Sequence, residues 1–365
     1  MMEYKKLGDI ATYVNGYAFK PEQRGKKGLP IIRIQDLTGN SYDLGYYEGD
    51  YPKKIELNNG DVLISWSASL GVYHWNRGKA LLNQHIFKVI FDKVNINKFF
   101  FMYAVEYNLK KMSLKTHGAT MKHITKKDFD NVIIPFPTLE KQGEIAQDLN
   151  IIKRIIEKYN QQINLLDELV KARFVELFGD PATNEYNWPI LNLENVSSII
   201  TYGLTVRPTY VNKGIDLISA RELHKGFIEY EVAPKISFND FQSLSDKGKP
   251  LKNDILFSKT GSIGHCALVD TDKMFAITQN AARLGLIIEK VNPVWLLYYL
   301  RMNYIQDWCK RHAKGNAVKD LQLKDIKAIP LFECPLELQN QFADFVKEVD
   351  KSRFIIKSMI KEGPL

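Results

Sequence analysis

Between Thr138 and Asp180 apolar residues recur in alternating steps of four and three: Ile145, Leu149, Ile152, Ile156, Tyr159, Ile163, Leu166 and Val170. That average of about 3.5 residues is the period of a coiled-coil seam, and no Pro interrupts it. The pattern predicts a helix over 139–177, about 60 Å long at ~1.5 Å per residue. Thr138 is its expected N-cap, and Gly179 with Asp180-Pro181 ends it. Ile151, Ile155, Leu165 and Leu169 lie beside the seam. One partner helix would leave them wet, so they predict a second helical partner. Residues 335–361 read as another amphipathic helix, and 99–112 as a shorter one. Period-two or continuous apolar runs predict strands at 31–35, 61–66, 86–91 and 131–135, and strand-and-loop patterning resumes from 191 to 335.

The chain repeats itself. Residues 60–71 (GDVLISWSASLG) match 253–264 (NDILFSKTGSIG) at the offset from Asp61 to Asp254, which is 193. Residues 28–37 align with 214–223 at 186, and 117–130 with 314–327 at 197. At 197 the run Leu139-Glu140-Lys141-Gln142 also matches Leu336-Glu337-Leu338-Gln339. The seam carries over to Phe342, Val346, Val349, Ile356 and Ile360, failing only where Ile156 maps to Arg353. The expected architecture is α/β: two tandem mixed α/β domains separated by two long antiparallel coiled-coil helices, with a pseudo-two-fold internal repeat. The boundaries are 1–137, 138–180, 181–335 and 336–365.

Composition narrows the functional classes. With 45% hydrophobic and 25% charged residues the chain is of globular type, not disordered. Three cysteines without a Cys-x-x-Cys pair fit a reducing cytoplasm and no zinc site. There is no apolar run long enough for a membrane span and no signal-peptide pattern at the N-terminus, so a cytoplasmic location is expected. The net charge of +8 favours an acidic partner.

That charge gathers before each domain's last strand. Lys115, His117 and Lys122 in the first copy, and Lys314, Asn316 and Lys319 in the second, suit contacts to DNA phosphates. The loops after the matched strands supply small polar side chains, Ser67 and Ser69 against Lys259, Thr260 and Ser262. Arg77 and Gln84, with Gln279 and Arg283 in the second copy, have side chains that can read guanine or adenine edges bidentately. Each of these taken alone is an ordinary surface residue; their recurrence in both copies favours DNA contact. Enzyme signatures are missing: there is no P-loop, glycine fingerprint, His-Glu-x-x-His, Gly-x-Ser-x-Gly, or Asn-Pro-Pro-Tyr type element. No catalytic or metal residue is assigned.

Two basic domains each followed by a long helix resemble the specificity (S) subunits of type I restriction–modification systems. The match is carried by Leu177-Phe178-Gly179-Asp180-Pro181 with Asn184, Trp188 and Pro189, by Ile218 to Leu223 (ISAREL), and by Asp254 to Gly264 (DILFSKTGSIG). Trp66-Ser67-Ala68 departs from the family-like Lys259-Thr260-Gly261. The resemblance implies a non-catalytic reader of double-stranded DNA. Each target recognition domain would read one half of a bipartite, asymmetric site. The helices would set the gap and dock two modification (M) subunits, through Ile151, Ile155, Leu165 and Leu169. Restriction (R) subunits would join for cleavage. S-adenosylmethionine, ATP and Mg are expected on those partners and no cofactor on this chain. The second helix limits the pairing to about 37 Å, close to one DNA turn of about 34 Å. Two alternatives remain at this point: a specificity subunit serving a fused type II methylase–nuclease, and a helical scaffold without sequence-specific DNA binding.

Overall fold

The structure is a computed structural model that describes every residue except 1, 2, 42, 116–124, 224, 225, 317 and 362–365, and the side chains of 113–115 as well. Two compact units divide the chain, Met1–Glu157 and Lys158–Leu365.

In the first unit an antiparallel sheet runs in the order Thr12–Asn15, Ile86–Ile90, Val62–Ser65, Gly71–His74. A second sheet places Tyr46–Tyr47, Leu29–Ile32, Ala80–Leu82 and Glu56–Leu57 side by side, with Ile31 parallel to Leu81. Tyr4–Lys6 pairs with Ile133–Pro135. The helix Lys98–Lys115 lays Phe100, Phe101, Val105 and Leu109 against the first sheet. The strand expected over 31–35 stops at Ile32, and Ile34–Thr38 is a short helix. The isoleucines at 31, 32 and 34 conceal its start, where the Asp36 carboxylate accepts the Arg33 backbone N–H at 2.8 Å.

The second unit repeats this plan. Ser197–Tyr202, Ala281–Leu286, Ile255–Ser258 and Cys266–Leu268 form the same antiparallel order. Ile215–Ile218 and Phe275–Ile277 form the parallel pair, and Ile190–Asn192 pairs with Pro330–Phe332. The capped turn recurs too: Ser219 N–H donates to Glu222 at 2.7 Å, as Arg33 does to Asp36. The sheets differ at their edges, because Tyr210–Val211 occupies a place in the second unit and Glu56–Leu57 in the first.

The long helices are Leu139–Phe178, 40 residues, and Leu336–Lys361, 26 residues. Thr138 caps the first through its carbonyl and hydroxyl, which accept from Gln142 and Lys141. The shared Leu-Glu-x-Gln run has a physical role. Gln142 is 1% exposed; its Nε2 donates to Pro137 O at 2.8 Å and its Oε1 accepts from Asn97 N at 2.9 Å. Gln339, 2% exposed, does the same with Cys334 O and Asn292 N. Each glutamine ties the first turn of a long helix to the loop before it and to the start of a shorter helix.

Within the second unit the helices pack antiparallel. Phe174 and Phe178 meet Phe342 at 5.3 and 5.9 Å between ring centroids, and further along Arg353 bonds Asp167 at 2.6 Å. The one break in the repeated seam is therefore filled by a cross-helix ion pair. Val170, Phe174, Phe178, Phe342, Val346 and Val349 join Trp295 and Tyr299 in one core. The seam is not buried throughout, since Ile156 is 36% exposed in the first unit.

Candidate nucleic-acid interface

The residues expected to contact DNA lie far apart in the sequence. In the second unit the backbone joins three of them. Lys259 N donates to Asn280 O at 3.0 Å, Leu321 N to Lys259 O at 2.7 Å, and Gly261 N to Lys319 O at 2.9 Å. Lys314 and Asp320 exchange both backbone bonds at 2.8 Å. Inside the first loop Ser258 Oγ donates to Ser262 O and accepts from His265 N. Gly315 sits at φ 105°, and a Cβ there would lie 2.2 Å from Val318 O, so only glycine fits this turn.

On this frame Ser262, Gln279, Lys314, Asn316 and Lys319 are exposed. The helix Asn303–His312 ends beside them with Lys310, Arg311 and His312 in its last turn. Lys259 and Thr260 are half-buried instead. Lys259 Nζ reaches Asp320 Oδ1 at 2.5 Å, and Thr260 Oγ1 donates to the same oxygen at 2.6 Å. Burial alone would raise the Asp320 carboxyl. The hydrogen bonds from Lys259 and Thr260, with the Lys259 charge, outweigh that and hold it below the ordinary carboxylate range.

Arg283 requires a correction. It is 7% exposed and lies on the strand Ala281–Leu286. Its Nε donates to Asp254 Oδ2 at 2.6 Å and its Nη1 to Asp246 O at 2.8 Å, leaving it no access to a base. The first unit carries the counterpart: Lys88 pairs with Asp61 at 2.9 Å and donates to Glu56 O at 2.7 Å. This recurring cation–carboxylate pair is the signal that the repeat offered and that a residue-by-residue reading overlooked.

In the first unit the loop Ser65–Gly71 keeps the same backbone. Ser65 Oγ donates to Ser69 O, Trp66 N to His85 O, and Ala68 holds φ 56° where Gly261 holds 82°. Trp66 stands where Lys259 does, stacked on Phe87 at 5.5 Å and edge-on to His85 at 5.1 Å. Ser69 is exposed and Gln84 half-exposed. Gln84 and Gln279 occupy equivalent places, each backbone N–H bonded to the residue opposite, Tyr17 or Leu204. Ser67 is 8% exposed, so burial removes it from the contact surface. Arg77 is exposed but occupied, with Nη1 on Asp36 O at 2.9 Å and its guanidinium 5.6 Å over Trp75. His117 and Lys122 lie outside the described residues, as does the side chain of Lys115.

The predicted docking residues are exposed: Ile151 48% and Ile155 44% in the first unit, Leu165 61% and Leu169 48% in the second. Phe354, Ile355 and Met359, on the C-terminal helix, are exposed as well, at 71%, 53% and 49%. Sequence reading missed them because it followed only the longer helix; their spacing off the Val349–Ile356 seam was the available sign. Among the described residues no group of three or more His, Cys, Asp or Glu could hold a metal ion, and no helix is long and apolar enough to cross a membrane.

Comparison with known proteins gives this geometry its context. The family model "Type I restriction modification DNA specificity domain" matches residues 1–167 and again 208–362. The chain is 27% identical over 352 residues to the type I restriction enzyme EcoBI specificity subunit of Escherichia coli, covering 88% of this chain and 73% of the relative. Its fold resembles the S subunit of a type I system from M. genitalium, with TM-score 0.53, 14% identity, and 99% and 92% of the two chains covered. It also resembles a chain in a structure titled for complex assembly and conformational transition of the type I system, with TM-score 0.56, 15% identity, and 99% and 94% covered. With two matched segments on two copies of one fold, the chain belongs to the type I restriction–modification DNA specificity family and is a non-catalytic DNA-specificity subunit.

Proposed function

We propose that each unit reads one half of a bipartite, asymmetric DNA site, and that the helices fix the gap and dock the modification subunits. The observation that carries this reading is the shared loop frame with unlike side chains. Trp66 corresponds to Lys259, Ala68 to Gly261 and His85 to Asn280 at equivalent backbone positions of the two copies. One scaffold with two chemistries is what two different half-sites require. Lys314 and Lys319 contact phosphates, while Ser262, Asn316 and Gln279 face base edges. In the first unit Ser69 and Gln84 have the corresponding places, with Lys115, His117 and Lys122 as phosphate and groove contacts.

Two modification subunits, carrying S-adenosylmethionine, bind the exposed apolar residues of the helices, and restriction subunits with ATP and Mg complete the complex in the cytoplasm. The chain itself performs no chemistry. The test is selection of duplexes from a randomised pool by the purified complex. Enrichment of a split, non-palindromic sequence supports the reading. Charge reversal at Lys314 and Lys319 should weaken binding and reduce the slope of log affinity against log salt. Unchanged affinity would favour a helical scaffold instead.

A further inference from the structure

Asp320 is an acidic side chain beside Lys314 and Lys319 in a basic loop of the second unit, an unfavourable neighbour for DNA phosphates. Its contacts give a reason for its presence. The carboxylate takes Lys259 Nζ at 2.5 Å and Thr260 Oγ1 at 2.6 Å, while its backbone pairs with Lys314 in both directions at 2.8 Å. Asp320 thus closes the 314–319 loop through its main chain and fastens it to the 258–264 loop through its side chain, between the backbone bonds that Lys319 and Leu321 make to that loop. Lys259 keeps 12% of its side chain exposed and Asp320 40%, so the pair is partly shielded from water on the lysine side. A Lys charge held this way is matched within the protein and displaces few counterions from DNA.

We propose that Asp320 is a positioning residue for base recognition by the second domain, and that Lys259 is its strut and not a phosphate ligand. The inference rests on the DNA-reading function above and deepens it. The first unit has Trp66 in the place of Lys259, packed on Phe87 and His85. The side chain at this loop position thus packs among aromatic rings in the first unit and pairs with a carboxylate in the second. A general electrostatic role for Asp320 makes the opposite prediction, because removing an acid from a DNA-facing surface tightens binding to every sequence alike.

The experiment uses the chain assembled with its modification subunits. The probes are the duplex that the wild-type complex enriches from a randomised pool and two shuffled forms, each scrambling one half-site. Asp320→Asn should lower discrimination against the duplex scrambled in the second domain's half by about tenfold or more, roughly one base pair's worth of specificity. Discrimination in the other half should stay within twofold. Lys259→Gln should leave the salt slope unchanged, whereas Lys314→Gln should reduce it by about one. Equal tightening of Asp320→Asn on all three duplexes, or equal weakening on all three, overturns the proposal. A salt slope that falls with Lys259→Gln overturns the strut. If the wild-type complex enriches no sequence, the DNA-reading function fails first and the proposal with it.

Discussion

Replacing Arg283 by Met tests whether the residue belongs to the core or to the DNA surface. Asp254 and Arg283 are 5% and 7% exposed, and their 2.6 Å bond is flanked by Leu251 N–H on the acid and Asp246 O on the base. Removing the guanidinium strands a buried carboxylate, a change that costs about 3–5 kcal/mol in comparable sites. The loss depends on pH. Burial already pushes the Asp254 carboxyl above its ordinary range, against the pull of the Leu251 amide and Arg283. Without Arg283 it rises further. A group whose folded pKa is raised contributes its stability at low pH and loses it as pH climbs through the folded value. The deficit of Arg283→Met should therefore widen as pH rises from about 4, where an unfolded aspartate ionises, to about 7. Urea denaturation at both pH values, followed by circular dichroism, measures it, fitted as separate transitions because two units need not unfold together. Adding Asp254→Leu should recover most of the loss, since a packed apolar pair can replace a buried ion pair. A variant of unchanged stability that loses DNA specificity would refute the reasoning and make Arg283 a base reader.

Gln339→Leu leaves the Asn292 N–H and the Cys334 carbonyl buried without partners, and should cost about 2–4 kcal/mol in the same denaturation assay. Gln142→Leu should do the same to the first unit through Asn97 and Pro137. Ile155→Lys with Leu169→Lys should leave the chain folded, because both side chains are already exposed, and should abolish co-purification with the modification subunit. Survival of the complex would show that these faces are not the dock.

The elements most legible in the sequence are those fixed by local periodicity. The seam from Ile145 to Val170 located a 40-residue helix to within a residue at each end, because a coiled-coil repeat is written in one stretch of chain. The repeat located the second copy for the same reason. What it could not give was long-range pairing. Arg283 reads as a surface cation because nothing near it in sequence reveals Asp254, its partner across the sheet. Asp320 draws no assignment from the sequence because its partners Lys259 and Thr260 are some sixty residues earlier. Ile34 and Gln35 read as strand because three β-branched isoleucines, Ile31, Ile32 and Ile34, fall within four residues, and the capping carboxylate of Asp36 outweighs that propensity. Comparing the two copies position by position recovers part of this, since Lys88–Asp61 and Arg283–Asp254 recur at nearly one offset.

In the proposed function each unit specifies half of the DNA sequence independently. The direct measurement is methylome sequencing of a host that carries the modification subunit, first without this chain, then with it, and then with residues 181–335 exchanged for those of another specificity subunit. A bipartite adenine-methylated motif should appear only with the chain, and the exchange should rewrite one half while the other half and the gap stay fixed. A motif that is present without the chain, or one that changes in both halves on exchange, would contradict that function.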